Sequence, residues 1–289
     1  MHEIIHLVTH TLKDTLNLLP FLLIAFLIIE LIEHKLTNKT KKIIEKSGNF
    51  GPLLGSFLGI VPQCGFSVLA TNLYITKIIS LGTLVAIYLS TSDEMLPILL
   101  SRNASVSVIL SLLFTKFIIG MISGFIIDFV MNNRYKKEHV KIKEDYTICD
   151  EEHCHCDKEN IFTSALMHTL KTYIFIFIVT FILNFIMHEF GNEFIENIFM
   201  KNALLAPFIS SLIGLIPNCG ASVILTELYL SNVISYSSVI SGLLTGSGVA
   251  ILVLFRNNKN IKENLLVLSL IYFIGAFSGL IINILSNFI

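Results

Sequence analysis

Two stretches, GIVPQCGFSVLATNLYI from Gly59 and GLIPNCGASVILTELYL from Gly214, place the same proline, amide, cysteine, glycine and serine in otherwise apolar sequence. They belong to a longer register. Residues 52–128 match residues 207–283 at a constant offset of 155, through Gly59/Gly214, Leu73/Leu228, Tyr74/Tyr229, Gly120/Gly275 and Gly124/Gly279. One register held over that length makes the chain two homologous units. HTLK at His10 and again at His168 extends the match to the first helix of each unit, with a loop three residues shorter in the second.

What these units fold into follows from hydropathy. Hydrophobic residues make up 54% of the chain, charged residues 14%, and mean hydropathy is +0.76, which excludes a soluble domain and implies a membrane protein. Apolar stretches at 16–32, 106–130, 172–187 and 265–288 approach the roughly 20 residues that a helix needs to cross a bilayer. Between them lie shorter runs at 52–60, 66–75, 81–89, 203–216, 221–230 and 233–244, interrupted by Pro, Gly, Ser and acids. Broken segments survive at membrane depth only where they pack in protein or line a cavity. The expected fold is an all-α polytopic membrane protein of about ten hydrophobic segments, some of them discontinuous or re-entrant. The N-terminal MHEIIHLVTHTLKD has no basic region and no small-residue cleavage pattern, so no removable signal peptide is expected.

Lysine and arginine collect in cytoplasmic loops. Lys35, Lys39, Lys41, Lys42 and Lys46 follow the first helix of unit one, whereas the matching loop of unit two, HEFGNEFIENIFMKN, is acidic with one lysine. Equivalent loops are thus expected on opposite sides. The same orientation puts Lys77, Arg134, Lys136, Lys137, Lys141, Lys143, Lys158, Lys171, Arg256, Lys259 and Lys262 inside, and leaves Lys13, Arg102, Lys116 and Lys201 elsewhere. The expectation is two inverted-topology repeats, 1–130 and 165–289, around a cytosolic linker at 131–164, with both termini outside. Each repeat then has an odd number of crossings: three plus a re-entrant hairpin, or five short ones. Inverted repeats with discontinuous helices in matching positions are the signature of an alternating-access transporter.

Pro62 and Pro217 break an incoming half-helix, and Gly65 and Gly220 permit a tight backbone beside the break. Cys64 and Cys219 are expected at the start of the next half-helix, where the positive dipole end favours thiolate, with Gln63 and Asn218 adding amide oxygens. A helix break with small packed cysteines is the plainer alternative. Ser67 and Thr71, like Ser222 and Thr226, share a helical face with the cysteines, either lining a path or bonding back to their own helix.

The repeats also differ. STSDEMLP in repeat one aligns with TGSGVAIL in repeat two, so Asp93 and Glu94, beside Ser92, match Gly248 and Val249, while Glu227 stands where repeat one has Asn72. Ionisable groups inside a membrane protein cost several kcal/mol unless paired or hydrated, and mark ion or proton paths. Asp93, Glu94 and Glu227 are therefore candidate ligands with the cysteines. Asp128 and Lys116 are weaker ones, the first near a helix end, the second able to snorkel or pair. GMISG and GAFSG fit close helix packing. The other cysteines, Cys149, Cys154 and Cys156, lie in the linker with His153 and His155, a set read either as a soft-metal or zinc arm or as an inert linker. His2, His6 and His10 recur every four residues, as in an interfacial helix.

PQCGFS, NLY, STSDEMLP, ICDEEHCHC, PNCGASV and TELYL, in this order, resemble the bacterial family of arsenic-efflux or ten-helix heavy-metal-exporter permeases, also described as manganese transporters. The resemblance implies an inner-membrane permease of about ten segments. It carries motif positions over to Pro62, Gln63, Cys64, Gly65, Ser92, Asp93, Glu94, Pro217, Asn218, Cys219, Gly220 and Glu227.

Residues and resemblance together predict a secondary transporter, not an enzyme, that exports a Mn²⁺-like cation or arsenite. Thiolates suit arsenite and soft metals, whereas carboxylates with amide and hydroxyl oxygens suit Mn²⁺. The chain has no P-loop, so an ion or proton gradient is the expected drive. No tightly bound cofactor and no nucleic acid are expected; the expected partners are the bilayer, a small inorganic ion and, as a homodimer, a second copy. Competing readings are a permease for an anion or small organic solute, because half-helix N-termini favour negative groups, an intramembrane thiol enzyme using Cys64 and Cys219, and a metal sensor built on the linker.

Overall fold

A computed structural model describes residues 50–60, 64–92, 95–139, 205–217 and 219–286, with scattered helical positions between 12 and 27 and between 162 and 181. For residues 64, 65, 132–139 and 219 it describes the backbone alone. The described elements are helices: α1 (Gly51–Gly59), α2 (Cys64–Ile75), α3 (Leu81–Ser90), α4 (Met95–Ser101), α5 (Val106–His139), α6 (Ala206–Gly214), α7 (Cys219–Leu230), α8 (Tyr236–Thr245), α9 (Ala250–Asn257) and α10 (Ile261–Ser286). The bounds of α1, α2 and α3 recur 155 residues later in α6, α7 and α8, and α9 and α10 begin 155 residues after α4 and α5.

The same local chemistry starts and stops equivalent helices. Proline occupies the first turn of α1 and of α6, where a missing N–H costs nothing. Ser80 and Ser235 cap α3 and α8, each hydroxyl accepting from the backbone N–H three residues on. Helices α2 and α7 end in matching turns with Lys77 and Asn232 left-handed at φ 59°, and Ile78 N–H and Val233 N–H reaching back to Leu73 O and Leu228 O.

Close contacts give the directions of the helices. Added Cβ atoms on Gly51, Gly55 and Gly59 would meet Thr83, Ile87 and, for Gly59, Ser90 as well, so α1 runs parallel to α3. Ser67 bonds Thr91 and Thr71 bonds Tyr88, so α2 runs antiparallel to α3. Helices α1 and α2 are therefore the two antiparallel arms of a hairpin. In repeat two, Ser211 meets Ser241 and Thr245 reaches Ser211 O, while Leu225 lies against Gly242 and Ser222 against Gly246; α6 and α7 form the same hairpin.

Among the described residues, four helical stretches are long and apolar enough to cross a membrane: Leu81–Ser101, Val106–Met131, Tyr236–Asn257 and Ile261–Ser286. The second and fourth agree with the sequence reading of 106–130 and 265–288; most of 16–32 and 172–187 lies outside the described residues. The other two stretches were expected as separate short runs. Each consists of two half-helices in succession, α3 with α4 and α8 with α9, interrupted at 91–94 and 246–249. These broken stretches are central, 75% and 78% buried, whereas Val106–Met131 and Ile261–Ser286 are 22% and 28% buried and turn most of their apolar surface outward. In a bilayer an outward apolar face meets lipid, so helices that are apolar all round suit the rim, whereas stretches interrupted by polar breaks need protein around them.

Glycines let the rim close on the centre. An added Cβ at Gly120 would lie 2.9 Å from Ala86 O and one at Gly124 2.7 Å from Gly82 O; at Gly275 and Gly279 the equivalents are Ser241 O at 3.0 Å and Ser237 O at 2.8 Å. The GMISG and GAFSG spacing thus serves packing in both repeats. Asp128 serves it as well: its carboxylate accepts from Gly82 N–H at 2.9 Å and Ser80 Oγ at 2.6 Å, closing the first turn of α3.

At Gly214 a Cβ would fall 2.0 Å from Gly242 O, a backbone atom, whereas at Gly246 it would lie 3.0 Å from Ser222 Oγ, which can rotate. Gly214→Ala is expected to destabilise the protein by about 1–3 kcal/mol, and Gly246→Ala by less; melting of the purified variants in detergent checks the order.

Candidate functional site

Both broken stretches lie at the contact between the repeats. Helix α2 packs on α9, α7 on α4, and α3 on α8, so each repeat inserts a hairpin arm against the broken stretch of the other. Cys64 and Cys219 are the first residues of α2 and α7, the half-helix starts that the sequence anticipates.

In repeat one the hydroxyls form a buried chain. Ser67 Oγ meets Thr91 Oγ1 at 3.0 Å, and Thr71 Oγ1 meets Tyr88 OH at 2.5 Å while bonding back to Ser67 O at 2.7 Å. Thr71 Oγ1 and Tyr88 OH also reach Ala250 O of repeat two, at 3.5 and 3.3 Å. Thr71 thus bonds back to its own helix and also reaches repeat two, whereas Ser67 Oγ meets Thr91 within repeat one. Ser92 Oγ donates to Ile60 O at 2.6 Å, tying the helix break to the hairpin tip.

Repeat two is built alike but less completely satisfied. Thr226 Oγ1 bonds Ser222 O at 2.7 Å, as Thr71 does Ser67 O. Ser247, the offset partner of Ser92, is 1% exposed, and its Oγ has no hydrogen-bond partner among the described residues. A buried hydroxyl without a partner calls for an explanation, and here it stands at the helix break of the interface. The sequence reading missed it; the offset to Ser92 was the available signal.

Charged and amide groups lie toward the hairpin bases. Asn257 Nδ2 donates to Asn72 Oδ1 at 3.0 Å across the interface, and both residues are buried, with Asn72 Nδ2 and Asn257 Oδ1 left without partners. The positions equivalent to Asn72 and Asn257 are Glu227 and Arg102, and these two also pair, Arg102 Nε to Glu227 Oε1 at 2.9 Å, with side chains 62% and 39% exposed. One contact thus exists twice, once as a buried amide pair and once as an exposed ion pair. Glu263 adds to the amide side by accepting from Tyr74 OH and from Lys77 Nζ at 2.9 Å.

Glu227 is therefore placed with Arg102, apart from the hydroxyl chain. Pro217 and Gly220 lie at the second hairpin tip. Pro62, Gln63, Asp93, Glu94 and Asn218 fall outside the described residues, as do the linker set Cys149, His153, Cys154, His155 and Cys156 and the N-terminal histidines. Among the described residues, no group of three His, Cys, Asp or Glu side chains is arranged to hold a metal ion.

A family model described as "Putative, 10TM heavy-metal exporter" matches residues 3–194 and 168–289. The chain belongs to this family. It is a multi-pass membrane protein, and the description points to a transporter and not an enzyme. Among the described residues, two hairpins of two arms each, two broken stretches and two rim helices supply eight of the family's ten segments. No curated protein and no solved structure matches the chain.

Ser92→Ala removes the bond to Ile60 O and leaves that carbonyl in the interior, at an expected cost of about 1–3 kcal/mol. Ser247→Ala removes a hydroxyl without a partner and is expected to leave stability unchanged or slightly raised. Melting of the two variants side by side checks this contrast.

Proposed function

We propose that the protein is an alternating-access secondary transporter that exports a metal or metalloid ion, a Mn²⁺-like cation or arsenite, from the cytoplasm across the inner membrane. The observation that carries this reading is the doubled contact between the repeats. Equivalent residues meet in both places, but Asn72 and Asn257 are buried while Arg102 and Glu227 are exposed. In inverted repeats these contacts lie on opposite sides of the membrane. One side is then shut and the other open, and exchanging the two arrangements between repeats produces alternating access.

Topology supports it. The lysine distribution assigns the loop at Lys77 and the start of α10 to the inside, and Lys77 and Glu263 form an ion pair. It assigns Arg102 to the outside, beside the base of the second hairpin, where Arg102 pairs with Glu227. Hairpin arms of 9 and 12 residues rise about 13 and 18 Å, short of the ~30 Å of a hydrocarbon core. This favours three crossings and one re-entrant hairpin per repeat over five crossings. The tips then meet near the midplane, with Cys64 and Cys219 at the positive ends of their half-helices and Gln63, Asn218, Asp93 and Glu94 beside them.

In this mechanism the ion is held between the tips by the cysteines and neighbouring oxygens, with Ser247 Oγ offering a further ligand. Asp93, Glu94 or Glu227 supplies negative charge or exchanges a proton, so that occupancy and protonation compete.

Flux into inside-out proteoliposomes, with Mn²⁺, Zn²⁺ and arsenite offered with and without a pH gradient, tests the proposal. Uptake of one of these ions, enhanced by a gradient, is expected; no uptake of any of them overturns export of this class. Glu227→Gln is expected to lower the rate and flatten its pH dependence, and wild-type rate with an unchanged pH profile would remove Glu227 from coupling.

A further inference from the structure

The inward face of α5 carries Ile109, Leu112, Lys116, Gly120, Gly124 and Ile127, all buried and spaced as one side of a helix. Lys116 is 1% exposed. Its position on this face, with the apolar rim of α5 turned the other way, excludes snorkelling along the lipid surface. The ammonium donates to Thr91 O of repeat one and, at 2.6 Å, to Leu243 O of repeat two.

Both carbonyls lie at helix ends. Thr91 caps α3 and stands outside it. Leu243 lies in the last turn of α8, and the N–H four residues on, that of Ser247, goes to Thr245 O at 2.9 Å instead. Helix C-termini carry partial negative charge and unsatisfied carbonyls. Helices α3 and α8 are offset partners, so equivalent half-helices from the two repeats end at the same ammonium.

The fold itself does not require a lysine there. Ile271 occupies the equivalent position on α10 and is fully buried. A buried ammonium costs several kcal/mol unless groups such as these carbonyls replace its water. Neutral carbonyl oxygens are hard ligands, matched to an alkali cation or an ammonium and poorly matched to a soft metal.

We propose that the carbonyls of Thr91 and Leu243 form a monovalent-cation site at the repeat interface, and that Lys116 fills it as a tethered cation in place of an exchangeable one. The tether holds the two half-helix ends together whatever occupies the path. The inference concerns cation binding by the folded chain and stands independently of the solute carried.

Removing the ammonium hands the site to a free ion. Wild type, Lys116→Arg, Lys116→Met and Lys116→Ile, the last copying Ile271, are purified in potassium chloride. Each is then melted in potassium, sodium, methylammonium and choline chloride at equal ionic strength. Wild type and Lys116→Arg are expected to melt alike in all four salts. Lys116→Met and Lys116→Ile are expected to lose about 2 °C or more of Tm in choline and to regain it, saturably, with at least one of the small cations. Two neutral variants keep the comparison intact should one fail to fold. Melting of the neutral variants that does not depend on the cation overturns the proposal, and because no flux is measured, failure here is distinct from failure of the transport reading.

Discussion

A helix that stops inside a bilayer leaves carbonyls and amides that lipid cannot satisfy, and this single requirement organises the protein. Helices end at Gly59, Ser90, Gly214 and Thr245, and the next ones begin at Cys64, Met95, Cys219 and Ala250. Ser92 reaches the carbonyl of Ile60, and Lys116 reaches those of Thr91 and Leu243. The bond to Leu243 crosses from one repeat to the other, as do those of Thr71 and Tyr88 to Ala250 O. Bonds that cross in this way are a physical reason for the fold to come as a pair.

The close approach of α5 to α3, and of α10 to α8, follows from the same need. Central helices that carry breaks must be enclosed, and glycines at 120, 124, 275 and 279 bring the rim helices to within van der Waals distance of central carbonyls. The outward faces of the rim remain free to be apolar, with Phe129 84% and Val130 69% exposed. Lipid, absent from a soluble protein's surroundings, is the solvent such faces suit.

Much of this was legible in the sequence because duplication turns a comparison of residues into a comparison of environments. The offset of 155 located the helix starts at Cys64 and Cys219, and unequal residues at equal positions singled out Asn72 against Glu227. The partners of those residues were not legible. Arg102 against Asn257 is visible in the same alignment, but nothing along the chain says that position 102 meets position 227, since helices from different repeats make that contact. Lys116 was underrated for the same reason: an isolated lysine in an apolar helix reads as snorkelling until the buried side of that helix is known.

The sequence by itself determined what the membrane and the repeat impose: apolar segments of near-spanning length, and proline and glycine breaks in matching places. These are local or compositional properties, set by hydropathy and backbone chemistry. Only the tertiary structure decided which segments double back, that 81–101 and 236–257 are each a broken stretch, and which side chains meet across the interface. Helix direction and cross-repeat pairing depend on contacts between residues as much as 189 positions apart, such as Tyr74 and Glu263. Periodicity along a chain carries no record of those distances.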